Sequence, residues 1–331
     1  MEEMVVEALL FGDRQAQLLA ARQLAQFSSK QRHKIAEKGV VPPLILMMST
    51  FDDCEVIEAA LFALLSIAFR SERNKILIAK SGGITVLLDV IQCENKLLVE
   101  LGVAFLLTLS SCGSNKMAIA SFGAIPILLE LLNSQSYNNM SFQANLDILS
   151  TLHNLSTCNQ LIPSIVSYGG VATLIRLVNL TSELVMEKAA VLLENLVSSS
   201  RIALEEAART EGAIQCLVEA MEEGSGQCKE QAVAILLLIC DSCRDRYRGM
   251  ILREGAMAAL LQLSVDGTRR ARDKAKRLLF LLRDCSNCGQ TTKQTKNIVL
   301  FEQIMRQIEQ VGEPEGMSVA NLEEMISKLR T

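Results

Sequence analysis

The sequence predicts an all-α protein built as a solenoid of stacked helical repeats. Three observations carry that prediction. Half of the 331 residues are apolar, there is no Trp, and the few Pro and Gly recur singly rather than in loop-like clusters. One glycine-centred phrase returns along the chain at a nearly constant interval. Each copy is followed by a polar break and then a longer stretch of helical apolar periodicity. A chain of this length ordinarily divides into about two or three globular domains, but uniform composition and an internal period favour a single extended array.

The elements follow in order. Glu2 to Ser28 holds only two helical patterns, EEMVVEALL and RQAQLLAARQLAQF, where later copies hold three, so it reads as an N-terminal capping half-repeat. Six fuller copies follow: QRHKIAEKGVVPPLILMM, RNKILIAKSGGITVLLDVI, SNKMAIASFGAIPILLELL, IPSIVSYGGVATLIRLV, ALEEAARTEGAIQCLVEAM and YRGMILREGAMAALLQL. Their first glycines, Gly39, Gly82, Gly123, Gly169, Gly212 and Gly255, are separated by 43, 41, 46, 43 and 43 residues, within the ~40–47 residues of helical repeats of two or three helices. Glycine suits the point where a short first helix turns sharply into a second, because a left-handed backbone costs it no Cβ clash. The one long interval contains SQSYNN, Ser134 to Asn139, expected to be an enlarged loop. Each unit is therefore helix, turn, helix, turn, longer helix, and stacking of neighbours must supply the core. Residues 1–284 form the expected array. Residues 285–331 are expected to be a polar linker followed by the amphipathic stretches NIVLFEQIMRQIEQ and SVANLEEMISKLR, which cap the final repeat or hang from it.

Charge narrows the classes of function. Lys+Arg 33 against Asp+Glu 37 leaves a net charge of -4, without the overall positive field that nucleic acid or an anionic membrane requires. The acidic start MEEMVVEALLFG is unlike a basic leader, and no apolar run approaches the ~18 residues of a membrane span. The expectation is a soluble intracellular protein, cytoplasmic, nuclear or both. Ten Cys without a leader read as reduced thiols, most of them placed as small hydrophobes. Cys240/Cys243 and Cys285/Cys288 resemble zinc half-sites, but Cys240 falls in the apolar run VAILLLIC and neither pair has compact four-ligand spacing, so no metal is expected. The two His, His33 and His153, stand three repeats apart and assemble no triad. The glycines form no phosphate-binding phrase, and the paired acids Glu205/Glu206 and Glu222/Glu223 fall on helix surfaces and turns. Neither an enzyme nor a cofactor is expected.

The phrase SFGAIPILLELL followed by QANLDILSTLHNLS, and the stretch EKAAVLLENLVS, resemble the armadillo repeat over residues 2 to 284. More narrowly, EALLFGDRQAQLLAARQLAQFS, KEQAVAILLLICDSC and DGTRRARDKAKRLLFLLRD resemble the armadillo region of plant U-box ubiquitin ligases and of related proteins lacking the U-box. The resemblance implies a right-handed armadillo-type superhelical solenoid of about six full repeats with the N-terminal half-repeat. In such ligases the U-box recruits the ubiquitin-conjugating enzyme and the array holds the substrate; relatives without it are interaction proteins. Nothing before the repeats has the length or Pro pattern of a U-box, so ligase activity by this chain alone is not expected.

In this family the third helices line a concave groove, and aligning them by the family's Asn position gives three columns. The first reads Gln26, Ser66, Thr108, Asn154, Asn195, Leu238 and Phe280. One turn earlier stand Arg22, Phe62, Ala104, Ser150, Val191, Ala234 and Lys276, and two turns earlier Leu18, Glu58, Glu100, Leu146, Glu187, Glu230 and Arg272. Asn offers both a donor and an acceptor to the backbone of an extended peptide, and Asn154 and Asn195 keep it. The nuclear-import adaptor importin-alpha pairs such Asn with Trp, and the absence of Trp excludes that role. Glu58, Glu100, Glu187 and Glu230 read either as an acidic stripe for a basic or helical segment or as a solvated face. Arg269, Arg270, Arg272, Lys274, Lys276 and Arg277 form a dense basic helix, readable as an import signal, a phosphoinositide contact, an acidic-partner site or a solvated cap. The expected function is a scaffold or adaptor holding a peptide or helix of another protein. The alternative is the substrate-recognition component of a ubiquitin-ligation system with a separate catalytic subunit.

Overall fold

The computed structural model describes residues 2–49, 53–133, 140–180 and 182–283. The expected loop at Ser134 to Asn139 and the segment 285–331, with Cys285 and Cys288, lie outside the described residues. Twenty α-helices and no strand occur among those described, and no single helix is long and apolar enough to cross a membrane. The chain divides into two compact units, Met1–Thr173 and Leu174–Thr331.

The first unit opens on α1 (Glu2–Phe11) and α2 (Arg14–Ala25), the half-repeat. Three full repeats follow: α3 (Ser29–Glu37), α4 (Val41–Met48) and α5 (Cys54–Ala68); α6 (Glu72–Lys80), α7 (Gly83–Ile91) and α8 (Lys96–Ser110); α9 (Lys116–Ser121), α10 (Ala124–Asn133) and α11 (Phe142–Ser156). Then come α12 (Ile162–Ser167) and α13 (Gly170–Leu180), within which the division falls. The second unit continues with α14 (Glu183–Ser199), then α15 (Arg201–Arg209), α16 (Ala213–Glu223) and α17 (Gly226–Ser242), and last α18 (Arg244–Arg253), α19 (Ala256–Asp266) and α20 (Arg269–Leu282).

Two recurring local devices cut the chain into these pieces. All six turn glycines adopt positive φ, from +73° at Gly212 to +88° at Gly123. A Cβ at any of them would meet nothing within 4 Å, so the requirement is the left-handed backbone itself and not crowding. The second device starts the long helices. Asp13, Asp53, Asn95, Ser141, Ser225 and Thr268 each accept a backbone N–H from the first turn of the helix they precede, a cap worth about 1 kcal/mol.

Packing explains why the third helix of each repeat is so apolar. α5 lies against α2 on one side and α8 on the other, with α3, α4 and α6 also touching it. It accordingly buries nine residues, from Val56 to Ala68. In the second unit α17 sits likewise between α14 and α20 and over α16. Its run VAILLLIC is buried almost throughout, Cys240 included, while Cys243 is exposed as the residue before α18. Each fully buried Leu on these helices contributes about 1.5–3 kcal/mol by leaving water.

Candidate interaction face of the third helices

In the first unit the outward faces of α2, α5, α8 and α11 bring the aligned columns together. Gln26 and Arg22 are exposed on or just after α2, and the Arg22 guanidinium pairs with the Glu55 carboxylate on α5. Phe62 is 41% exposed, with half-buried Glu58 and Ser66 one turn to either side. Phe69, after α5, is also exposed and carries the Arg70 guanidinium 5.2 Å from its ring centre. On α8 the Thr108 hydroxyl turns back to the Ala104 carbonyl at 3.2 Å, and on α11 Ser150 is half-buried. Asn154 does not point free: its amide donates to the Ser110 hydroxyl on α8 at 3.0 Å. Asp147, also on α11, is pushed above the usual carboxylate range by burial, which the hydrogen bond from Gln143 only partly offsets.

The Glu column has a structural task. The Glu100 carboxylate accepts the backbone N–H of Ser141, the cap of α11, at 2.7 Å, and is only 22% exposed. In the second unit Glu187 accepts the hydroxyl of Ser225, the cap of α17, and Glu230 accepts the hydroxyl of Thr268, the cap of α20. Each of these carboxylates therefore sits at the N-terminus of the next long helix, where negative charge is favoured. At the α2/α5 joint, where Leu18 occupies the Glu position, Arg14 pairs with the capping Asp53 at 2.6 Å instead.

A second column, absent from the sequence-derived site, works at the opposite end of the long helices. Lys75 is 7% exposed and donates to Glu72 (2.6 Å) and to the Ser111 hydroxyl just after α8 (2.8 Å). That contact with Lys75, and then one with Cys112, holds the Glu72 carboxyl below its usual range. Lys116, one repeat on, donates to the Thr157 hydroxyl after α11 at 2.5 Å. Arg248 donates to the Leu282 carbonyl at 2.8 Å, and Arg244 donates to the carbonyls of Leu281 (2.5 Å) and Arg283 at the end of α20. Cations at helix C-termini satisfy the orphan carbonyls and oppose the dipole. The neighbouring Asn74 and Asn115 donate to the carbonyls of Ile67 and Leu109, near the ends of α5 and α8. The Asn-Lys start of the glycine phrase was the visible signal of this column.

In the second unit the same columns are more apolar. Val191, Asn195 and Leu238 are half-buried and Ala234 is buried, whereas Lys276 and Phe280 on α20 are exposed. Arg269, Arg270 and Arg277 are exposed, and Arg272 and Lys274 half-buried. Cys216 on α16 and Cys228 on α17 are buried, which pushes their thiols up to about 12 and about 11. Among the described residues no group of three or more His, Cys, Asp or Glu is placed to hold a metal.

Helix triplets hinged on a left-handed glycine, with their third helices side by side within each unit, define an armadillo-repeat solenoid. The family model for the plant U-box protein ARM repeat region matches residues 10–299, and the chain belongs to that family. It is similar to U-box domain-containing protein 7 of Arabidopsis thaliana, 33% identical over 197 residues, and to U-box domain-containing protein 6 of the same plant, 34% identical over 155 residues. These matches cover 58% and 47% of this chain but only 24% and 19% of the relatives. Among solved structures, an engineered protein superposes with a TM-score of 0.74 at 21% identity, covering 98% of this chain and 76% of its own. A computationally designed armadillo repeat protein for modular peptide recognition gives 0.64 at 21%, covering 72% and 99%.

Proposed function

We propose that this chain is a protein-binding scaffold whose third helices hold a segment of another protein. The observation that carries it is the division of labour on those helices. Glu100, Glu187 and Glu230 are committed to joining repeats, while Gln26, Phe62, Ser66 and Ser150 lie on the same outward columns with exposed or half-buried side chains. A backing of packed helices with a row of small polar groups and the exposed ring of Phe62 suits an extended or helical peptide. The designed armadillo protein of similar fold was made for peptide recognition, which supports the reading by analogy. A finer reading, substrate recognition for a ubiquitin ligase with a separate catalytic subunit, is supported by the U-box names of the relatives.

The test is affinity capture with three baits: the intact chain, a Phe62→Ala, Ser150→Arg chain, and a Phe122→Ala control altered at an exposed residue beside the Gly123 turn. Partners lost only by the double variant are expected, and ligase subunits among them would support the finer reading. Partners retained equally by all three baits would refute binding on this face. Reversing Glu187 and Glu230 is unsuitable, because it breaks the joints to α17 and α20.

A further inference from the structure

α20 differs from the third helices before it. Arg269, Arg272, Lys276 and Phe280 recur at three- and four-residue steps along one line of the helix, and Arg270, Lys274 and Arg277 along the adjoining line. Ala271, Ala275, Leu278, Leu279 and Leu282 face inward and are buried. Arg277 is paired with Asp241 of α17 at 3.4 Å; the other five cations make no ion pair among the described residues. One carboxylate, Asp273, shares the exposed face, and Glu230 on α17 is taken up by Thr268. α20 is held by its inward residues and by Arg244 and Arg248, which bind its final carbonyls; of the six cations only Arg277 makes an ion pair to a neighbouring helix among the described residues.

Arg272 is the telling substitution in the column. It stands where Glu187 and Glu230 each accept a bond from the cap of the following helix, and a guanidinium has no acceptor to offer. Eight residues on, at the column's Asn position, Phe280 is 64% exposed. The face thus combines unpaired positive charge with a bare aromatic ring on a fixed helix.

We propose that this face of α20 docks an acidic segment of a partner protein, with carboxylates meeting Arg269, Arg272 and Lys276 and one apolar side chain covering Phe280. The inference rests on the protein-binding reading and names the chemistry of the partner. Charge complementarity selects an acidic occupant. The exposed Phe280 in line with the cations, with Asp273 between them, favours a mixed acidic and apolar peptide over a nucleic-acid backbone, which rewards an uninterrupted positive surface.

Fluorescence anisotropy on the full chain tests this with a short labelled peptide of Glu and Asp around one central Leu, the same peptide with Ala for Leu, and vesicles of phosphatidylcholine with phosphatidylserine. The Leu peptide is expected to bind more tightly than the Ala peptide, and to weaken as salt is raised. An Arg272→Glu, Lys276→Glu chain should lose at least about tenfold in affinity, and Phe280→Ser should erase the preference for Leu. Arg270→Glu, Lys274→Glu, on the adjoining line, should retain most of the binding; circular dichroism verifies that each variant is folded. Equal losses from both double variants, unchanged binding by the first, or binding to vesicles without binding to peptide would each overturn the proposal. The Phe62→Ala, Ser150→Arg chain separates the two readings: it should keep the acidic peptide even where it loses captured partners.

Discussion

Asp147 shows what burial does to a single charge. Its carboxyl is raised by loss of water, so the folded chain holds the proton more tightly than the unfolded chain does. A raised carboxyl is a penalty on folding above its folded pKa, and the penalty vanishes as pH falls to the unfolded value. Asp147→Asn keeps an acceptor for Gln143 and removes the charge. It is therefore expected to raise the denaturant midpoint at neutral pH, with the gain shrinking as pH falls through the window between the folded pKa and the ordinary Asp value of ~3.9. Identical midpoints for the two chains at neutral pH would contradict the assignment. Such residues are unevenly legible in the sequence. Cys240 as a core thiol and each turn glycine follow from their immediate neighbours. Glu100, Glu187 and Glu230 read equally as a binding stripe or a solvated face, because their partners Ser141, Ser225 and Thr268 lie in the next repeat and only side-chain geometry joins them.

At the scale of the element, α20 depends on the arginines of α18 for its ending. The Arg248 guanidinium bonds to the Leu282 carbonyl, and Arg248→Met should cost about 1.5–3 kcal/mol, the range for a hydrogen bond to a charged group. Hydrogen exchange should quicken in the last turn of α20 while the middle of α17 is unchanged; unaltered exchange at the end of α20 would show that Arg244 suffices. The helices themselves were largely legible, since capping residues, period and glycine all agree. The starts of α9 and α12 were not, for each is preceded by a short 3-10 turn, Gly113–Asn115 and Asn159–Leu161. In the first, the buried Asn115 side chain reaches the carbonyls of Lys75 and Leu109, which ties the chain to a tighter path than an α-helix. In the second, Pro163 lies in the first turn of α12, where its missing N–H is tolerated.

At the scale of the molecule, each repeat draws its core from its neighbours. Leu106 on α8 is fully buried, and Leu106→Ala is expected to cost about 2–5 kcal/mol. In an array of nearest-neighbour couplings the loss should concentrate in α7, α8 and α11 and spare α1, read as a graded fall in amide protection. An even fall from α1 to α11 would mark the first unit as one cooperative block instead. The architecture was readable from the period because every repeat restates it, whereas a partner leaves no period in the chain that binds it. The joints between repeats carry one more implication. In Glu100 with Ser141, Glu187 with Ser225 and Glu230 with Thr268 a glutamate accepts from the cap one repeat on, from a backbone N–H in the first and from a hydroxyl in the other two, each half standing at a corresponding place in its own repeat. A gene that gained or lost one whole repeat by unequal recombination would bring a glutamate of one ancestor against the cap of another and find the fastening already made, so that length can drift over generations without a joint having to be invented anew.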